Sequence, residues 1–191
     1  MRLILVDESK RKDYILCAVE IDMSVAPAAR VAVNRLRLKG QRSIHFLTES
    51  DFRKKFILST FAEISFNATC FIARGRPDNF ARDLCLKAFV ASLCSAENYV
   101  IIFDMDFTRL SADRQTLIME LDKSEMREKV EYRHQEPHHE YLLWLPDAIA
   151  WSYARGWPWR STKKICPHDT YTERLSHSFW KRPFIHSIRG I

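Results

Sequence analysis

The sequence predicts an α/β fold in which a mixed sheet of about five strands carries helices on both faces. Two observations lead to this prediction. Short apolar runs alternate with segments of helical periodicity, and the first two runs follow each other as in a hairpin. The elements are read in the order β-β-α-α-β-α-β-α-β-α, and such alternation is typical of a sheet packed between helices.

The first elements are a predicted hairpin and a helix. Residues 3–6 (LILV) predict a buried strand and residues 7–13 (DESKRKD) a polar turn. Residues 14–21 (YILCAVEI) predict a second strand that pairs with the first. Apolar residues at helical spacing then predict a helix over residues 25–38, and Gly40 follows its end.

The middle of the chain continues the alternation. Residues 44–46 form a short extended piece, and residues 50–66 place their apolar side chains on one face of a helix. Residues 68–73 (ATCFIA) predict a third strand, and residues 80–93 predict an amphipathic helix.

The last part of the domain repeats strand and helix twice. Residues 99–103 (YVIIF) predict a strongly apolar strand, and residues 112–121 a helix. Residues 129–134 (KVEYRH) alternate in polarity, as an edge strand does. The final helix spans residues 140–155, where Pro146 either kinks it or marks its true start at residue 145 or 146.

Composition bounds the class of protein. The chain has 191 residues, 47% of them hydrophobic, which is enough for one packed domain with an appendage. No apolar stretch approaches the ~18–20 residues of a membrane span, and the start lacks a signal peptide, so we expect no membrane association. The five cysteines form no C-x-x-C pair, which favours reduced thiols in the cytoplasm.

The excess positive charge lies in the C-terminal segment. Residues 1–154 hold 22 Lys+Arg and 22 Asp+Glu, whereas residues 155–191 hold 8 and 2. This difference accounts for the whole net charge of +6. We therefore divide the chain into an α/β domain, residues 1–155, and a basic, aromatic extension, residues 156–191.

Tryptophans and basic residues interleave in this extension. The pattern fits three roles: binding single-stranded nucleic acid, packing back on the domain, and docking on a protein partner or a second copy of the chain. The candidate nucleic-acid-binding residues are Arg155, Arg160, Lys163, Lys164, Lys181 and Arg182.

Acidic residues follow two of the most apolar predicted strands. Asp7 and Glu8 follow LILV, and Asp104 and Asp106 follow YVIIF. Carboxylates at a strand end are costly unless a positive group pairs with them, and Mg²⁺ prefers such oxygens. Asp147 lies in the apolar segment LLWLPDAIAW and is either a functional acid or a helix N-cap.

We expect Asp7, Asp147 and one of Asp104 and Asp106 to converge. Three carboxylates can hold two divalent ions about 4 Å apart, an arrangement that hydrolyses phosphodiesters. The choice between Asp104 and Asp106 stays open, and Asp106 is taken as the ligand beside Asp7 and Asp147. Glu8 is expected to face away from Asp7, because adjacent strand side chains point to opposite faces.

Supporting candidates are Glu8, Glu49, His45 and Glu140. His45 and Glu49 share a face if their segment is helical, and His45 then orients a water or a phosphate; otherwise it flanks a strand edge. Residues 134–140 (HQEPHHE) are rich in metal-ligating types, but their spacing matches no standard zinc pattern. Glu140 and a histidine are expected to line the entrance of the acidic site, unless this loop faces solvent.

The opening hairpin ILVDESKRKDYILCAVEI resembles that of the RNase H-like family called domain of unknown function 3800. Members of that family close with a helix carrying a motif like L-Q-x-A-D-x-x-A, which reads LWLPDAIA in residues 143–150. The sequence departs from the family at Trp144, at Pro146 and at Lys10. The resemblance covers roughly residues 1–155.

The resemblance implies an RNase H-like fold and a nuclease activity. It places Mg²⁺ or Mn²⁺ at Asp7, at one of Asp104 and Asp106, and at Asp147, and it implies hydrolysis of RNA or DNA. The alternative is a catalytically inactive RNase H-like interaction or regulatory module, in a phage-defence or mobile-element system.

Overall fold

The computed structural model describes residues 1–156 and 184–189 of the chain. Its strands are β1 Arg2–Ser9, β2 Tyr14–Asp22, β3 Asn67–Ala73, β4 Tyr99–Asp104, β5 Val130–Gln135 and β6 Phe184–Arg189. Its helices are α1 Ala26–Asn34, α2 Asp51–Phe61, α3 Asp78–Ala91, α4 Leu110–Lys123 and α5 Trp144–Arg155. Short 3₁₀ turns span Phe46–Thr48, Arg127–Lys129 and Tyr141–Leu143.

The strands form one mixed sheet in the order β5-β4-β1-β2-β3-β6. β1 lies near its centre, antiparallel to β2 and parallel to β4. β5 continues the parallel side, and β3 and β6 continue the antiparallel side. The predicted α/β class with a mixed sheet is thus confirmed. A sixth strand, β6, pairs with β3 at the edge of the sheet. It lies within the segment that the sequence predicts to be an extension.

Two apolar layers cover the two faces of the sheet. Leu3 and Leu5 of β1 face the layer that contains α1, α2 and α5, whereas Ile4 and Val6 face the layer of α3 and α4. This alternation is the period of a pleated strand. It determines which face of the sheet each side chain at the end of β1 points to.

Some helices are shorter than predicted. α1 ends at Asn34, and α2 ends at Phe61 because the chain must turn before β3 begins at Asn67. α5 begins at Trp144, so Pro146 lies in its first turn, where a backbone N–H has no partner within the helix. The alternative in which the helix begins at residue 145 or 146 is therefore closer to the structure than a kinked helix that begins at residue 140.

The helices are of moderate length, and the longest have 14 residues. Within the described ranges, none of them is long and apolar enough to cross a membrane. The four cysteines that the structure describes form no disulfide with one another; Cys17, Cys70 and Cys85 are buried and Cys94 is exposed.

Candidate acidic site

A cavity of about 340 Å³ lies at the carboxyl ends of β1 and β4, against the start of α5. Three aspartates line it: Asp7 from β1, Asp104 from β4 and Asp147 from α5. The rest of the wall is mainly apolar and is formed by Ile44, His45, Phe46, Leu47, Thr48, Pro137, Leu143 and Trp144. We call this space the acidic cavity.

The pairing of β1 with β4 brings two of these acids together. The strands are parallel, and their register pairs Val6 with Phe103, so Asp7 and Asp104 are the next residues along each strand. Both belong to the face covered by α5, because Leu5 and Ile102, two residues earlier, lie in that apolar layer. The sequence therefore specifies this convergence through strand length and side-chain alternation.

Asp147 joins them from the first turn of α5. Its Oδ2 accepts a hydrogen bond of 3.0 Å from the backbone N–H of Phe46. The ring of Phe46 packs edge-on against Trp151 of the same helix, with centroids 5.3 Å apart. The N-cap of α5 is Leu143, so the interpretation of Asp147 as the helix cap is wrong.

Burial disfavours the ionised form of the three aspartates in the acidic cavity. It raises the pKa of Asp7 well above its usual value, and the charges of Asp147, Asp104 and Glu8 raise it further. Burial also raises the pKa of Asp104 to about 6. The pKa of Asp147 is likewise raised by burial, against the lowering effects of the Phe46 amide and of His45.

The acids of the cavity lack the partner that other buried acids have. Glu140 is paired with Arg30 at 2.8 Å, and Asp113 with Arg82 at 2.7 Å. Among the described residues, no lysine or arginine lines the acidic cavity. Carboxylate oxygens are the ligands that a hard divalent cation prefers, so Asp7, Asp104 and Asp147 are the residues of this cavity that could hold Mg²⁺ or Mn²⁺.

Asp106 does not line the cavity. Its Oδ1 accepts hydrogen bonds from the backbone N–H of Thr108 at 3.0 Å and from its hydroxyl at 2.6 Å, and these bonds lower its pKa. Its Oδ2 lies 3.6 Å from Nζ of Lys10. β4 ends at Asp104, so the chain turns before Asp106. The expected position of Asp106 beside Asp7 and Asp147 is therefore corrected to Asp104.

Glu8 faces the opposite side of the sheet from Asp7, as alternation predicts. Nη1 of Arg82 donates to Oε2 of Glu8 and, at 2.8 Å, to the hydroxyl of Tyr14. The same guanidinium binds both carboxylate oxygens of Asp113, at 2.8 and 2.7 Å. Through Arg82, Glu8 is bound on the face of the sheet opposite Asp7, and it does not enter the acidic cavity.

Arg82 was missed by the sequence reasoning, although a signal was present. It occupies the same helical phase as the buried Cys85 and Leu86, so an arginine stands on the apolar face of α3. Only 2% of its surface is exposed. A buried arginine requires acidic partners, which Glu8 and Asp113 supply.

His45 lines the acidic cavity, and Glu49 does not. His45 is exposed at the rim, and its Nε2 lies 3.2 Å from the hydroxyl of Ser43. Glu49 instead accepts a 2.7 Å hydrogen bond from Gln41 and pairs with Arg53. His45 and Glu49 are extended residues that flank the 3₁₀ turn Phe46–Thr48, so they do not share a helical face.

Glu140 has a structural role in place of the expected position at the entrance. Its carboxylate binds Arg30 through two guanidinium nitrogens. It also accepts a 3.2 Å hydrogen bond from the backbone N–H of Leu142, at the start of the 3₁₀ turn Tyr141–Leu143. Glu140 is therefore neutralised and buried.

The structure describes one of the candidate nucleic-acid-binding residues, Arg155. Arg155 ends α5, and its Cζ lies 5.6 Å from the ring centre of Trp151. The remaining candidates lie outside the described residues: Arg160, Lys163, Lys164, Lys181 and Arg182.

Neither a protein-family model nor a curated protein sequence matches this chain. The resemblance of its hairpin and of residues 143–150 to the RNase H-like family stays a prediction.

Proposed function

We propose that the protein is a metal-dependent, RNase H-like nuclease that hydrolyses phosphodiester bonds of RNA or DNA. The observation that supports the proposal is the acidic cavity, in which Asp7, Asp104 and Asp147 lie together without a lysine or arginine among the described residues. When bound there, Mg²⁺ or Mn²⁺ supplies activation of water and stabilisation of the leaving oxygen.

The three carboxylates are oriented by backbone amides. Oδ1 of Asp7 accepts from the N–H of Glu8 at 2.7 Å, and Oδ1 of Asp104 accepts from the N–H of Met105 at 2.9 Å. Asp147 uses Oδ2 in the same way. The second oxygen of each carboxylate makes no hydrogen bond to the described residues, and these are the oxygens that we assign to metal binding.

One other residue of the wall suits a phosphate. His45 stands at the rim, where an N–H of its imidazole can donate to a phosphate oxygen.

The proposed partner is a nucleic acid, held in part by the basic residues of the C-terminal segment. Charge neutralisation of the phosphate backbone makes such binding weaker at high salt. We place this activity in the cytoplasm, because the cysteines form no C-x-x-C pair and suit a reducing environment.

The decisive experiment measures cleavage by the full-length chain with Mg²⁺ or Mn²⁺. The substrates are labelled single-stranded RNA, single-stranded DNA, their duplexes and an RNA–DNA hybrid. We expect Asp7→Asn, Asp104→Asn and Asp147→Asn to reduce cleavage to the protein-free rate. Asp106→Asn is the matched control, because it makes the same chemical change two residues from Asp104 but outside the cavity, and we expect it to keep activity.

A Mn²⁺ titration by calorimetry separates an inactive scaffold from a failed assay. We expect binding heat that disappears in Asp7→Asn. Wild-type protein that gives no such heat and cleaves none of the substrates would contradict the proposal and favour the inactive interaction module. Urea unfolding checks the fold of each variant, and removing a buried carboxylate that has no cationic partner is expected to stabilise the metal-free protein.

A further inference from the structure

A second group of metal-ligating side chains lies on the turn after β5. One ligand atom from each of Glu136, His138 and His139 lies within 4.8 Å of the others. The backbone of this turn is fixed by two hydrogen bonds to the carbonyl oxygen of Glu136, from His139 at 2.9 Å and from Glu140 at 3.3 Å. The three side chains therefore project from a formed turn.

The spacing of these groups is near that of a coordination shell. Neighbouring ligand atoms of tetrahedral Zn²⁺ lie about 3.3 Å apart, given bonds of about 2.0–2.1 Å. Nδ1 of His138 lies 3.1 Å from Oε2 of Glu136, and the rings of His138 and His139 have centroids 3.9 Å apart. Small side-chain rotations would bring the third donor to the same distance.

The donor set selects the class of ion. Two imidazoles and one carboxylate suit Zn²⁺ and similar first-row ions, whereas Mg²⁺ prefers oxygen ligands. His139 is exposed, so a water molecule can take the fourth position. We propose that Glu136, His138 and His139 form a zinc site that is separate from the acidic cavity, and that Arg42 competes with the ion for His138.

The role of Arg42 follows from hydrogen-bond chemistry. Its Nη2 lies 3.0 Å from Nε2 of His138. A guanidinium can only donate, so Nε2 accepts and Nδ1 carries the proton that points at Glu136. An ion on Nε2 displaces Arg42, and an ion on Nδ1 moves the ring proton to Nε2, against the guanidinium. Either binding mode is opposed by Arg42, which is exposed and able to leave.

The zinc site has a structural link to the acidic cavity. Pro137, between the ligands Glu136 and His138, lines that cavity. An ion on this turn therefore fixes one part of the cavity wall. The site itself does not depend on the proposed nuclease activity.

The test is a Co²⁺ titration of the full-length chain followed by visible absorption, with Zn²⁺ as competitor. We expect the intense absorption of tetrahedral Co²⁺, its loss on adding Zn²⁺, and at least about tenfold weaker binding in His138→Ala and in His139→Ala. Asp7→Asn should leave the signal unchanged, which separates this site from the acidic cavity.

Arg42→Ala is expected to change the Co²⁺ affinity in the opposite direction from the histidine variants, and unfolding would not increase that affinity. We expect Co²⁺ to bind about tenfold more tightly when the competing guanidinium is removed. The zinc site is excluded if wild-type protein gives no tetrahedral absorption, or if both histidine variants keep it. Unchanged or weaker binding in Arg42→Ala would overturn the competition by Arg42.

Discussion

The backbone N–H of Phe46 donates a 3.0 Å hydrogen bond to Oδ2 of Asp147, across 101 positions of sequence. This bond favours the ionised carboxylate and so opposes the burial that raises the pKa of Asp147. The segment that carries His45 is thereby attached to an acid of the cavity. The attachment is made by a main-chain group, so most substitutions of Phe46 preserve it.

A pair of substitutions at Phe46 isolates this bond. Phe46→Ala removes the ring but keeps the N–H, whereas Phe46→Pro removes both, and the extended conformation of His45 tolerates a following proline. We expect Phe46→Pro to be about 1–3 kcal/mol less stable than Phe46→Ala at neutral pH, measured by urea unfolding. Equal stability of the two variants would show that the bond contributes nothing to folding.

The acidic cavity makes metal-free stability fall with rising pH. The pKa of Asp104 is raised from 3.8 to about 6, so between these values the folded state holds a proton that the unfolded state has lost. The free energy of unfolding therefore decreases as pH rises through that window. We expect Asp104→Asn to exceed wild type by about 1–3 kcal/mol near pH 7.5 and to match it near pH 4.

Asp106→Asn is the control for this titration and has the opposite sign. The hydrogen bonds from Thr108 lower the pKa of Asp106, so its charge stabilises the fold at neutral pH. We expect a loss of stability near neutral pH that shrinks on acidification. The assignment of Asp104 as the destabilising acid fails if the two asparagine variants show the same pH dependence in urea unfolding.

Arg82 is predicted to be a major contributor to stability. Arg82→Met leaves the carboxylates of Glu8 and Asp113 without their guanidinium partner, and Asp113 is buried. We expect a cost of about 3–5 kcal/mol, measured by denaturant unfolding. Arg114→Met is the comparison, because Arg114 is exposed, and its effect should stay within about 0.5 kcal/mol. Similar small effects in both variants would contradict the role of Arg82.

Lys54 binds the backbone of the segment that carries Leu47, a residue of the acidic cavity wall. Its ammonium donates to the carbonyl oxygens of Leu47, at 3.2 Å, and Glu49, and it lies 4.8 Å from the ring centre of Trp151. We expect Lys54→Met to cost about 1.5–3 kcal/mol and to speed hydrogen exchange in residues 45–49. The neighbouring Lys55 is exposed, so Lys55→Met should change neither quantity. Unchanged exchange in Lys54→Met would remove Lys54 from this role.

The sheet was predictable because each of its first four strands contains a compact apolar run and the fifth alternates in polarity, as an edge strand does. Local periodicity also identified all five helices, although their ends depended on contacts that periodicity does not contain. β6 was not predicted, since the residues around it lack a clear pattern. Its place in the sheet is set by the free edge of β3.

Strand ends and side-chain alternation were enough to predict the positions of Asp7 and Glu8. Asp147 was predicted from the apolar segment that surrounds it. The choice between Asp104 and Asp106 depended on the residue at which β4 stops, and the last residue of an element is the least predictable part of it. Glu140 was misplaced because its partner, Arg30, is distant in sequence, and nothing local to Glu140 indicates that pairing.

The three acids of the cavity come from the first strand, the fourth strand and the last helix of the domain. The hairpin of β1 and β2 closes a short loop, whereas pairing β1 with β4 and docking α5 require closure of long ones. We therefore expect the repulsion among the acids to oppose the later steps of folding more than the early ones. If the proposed cation binds in the cavity, we expect it to slow unfolding more than it accelerates folding.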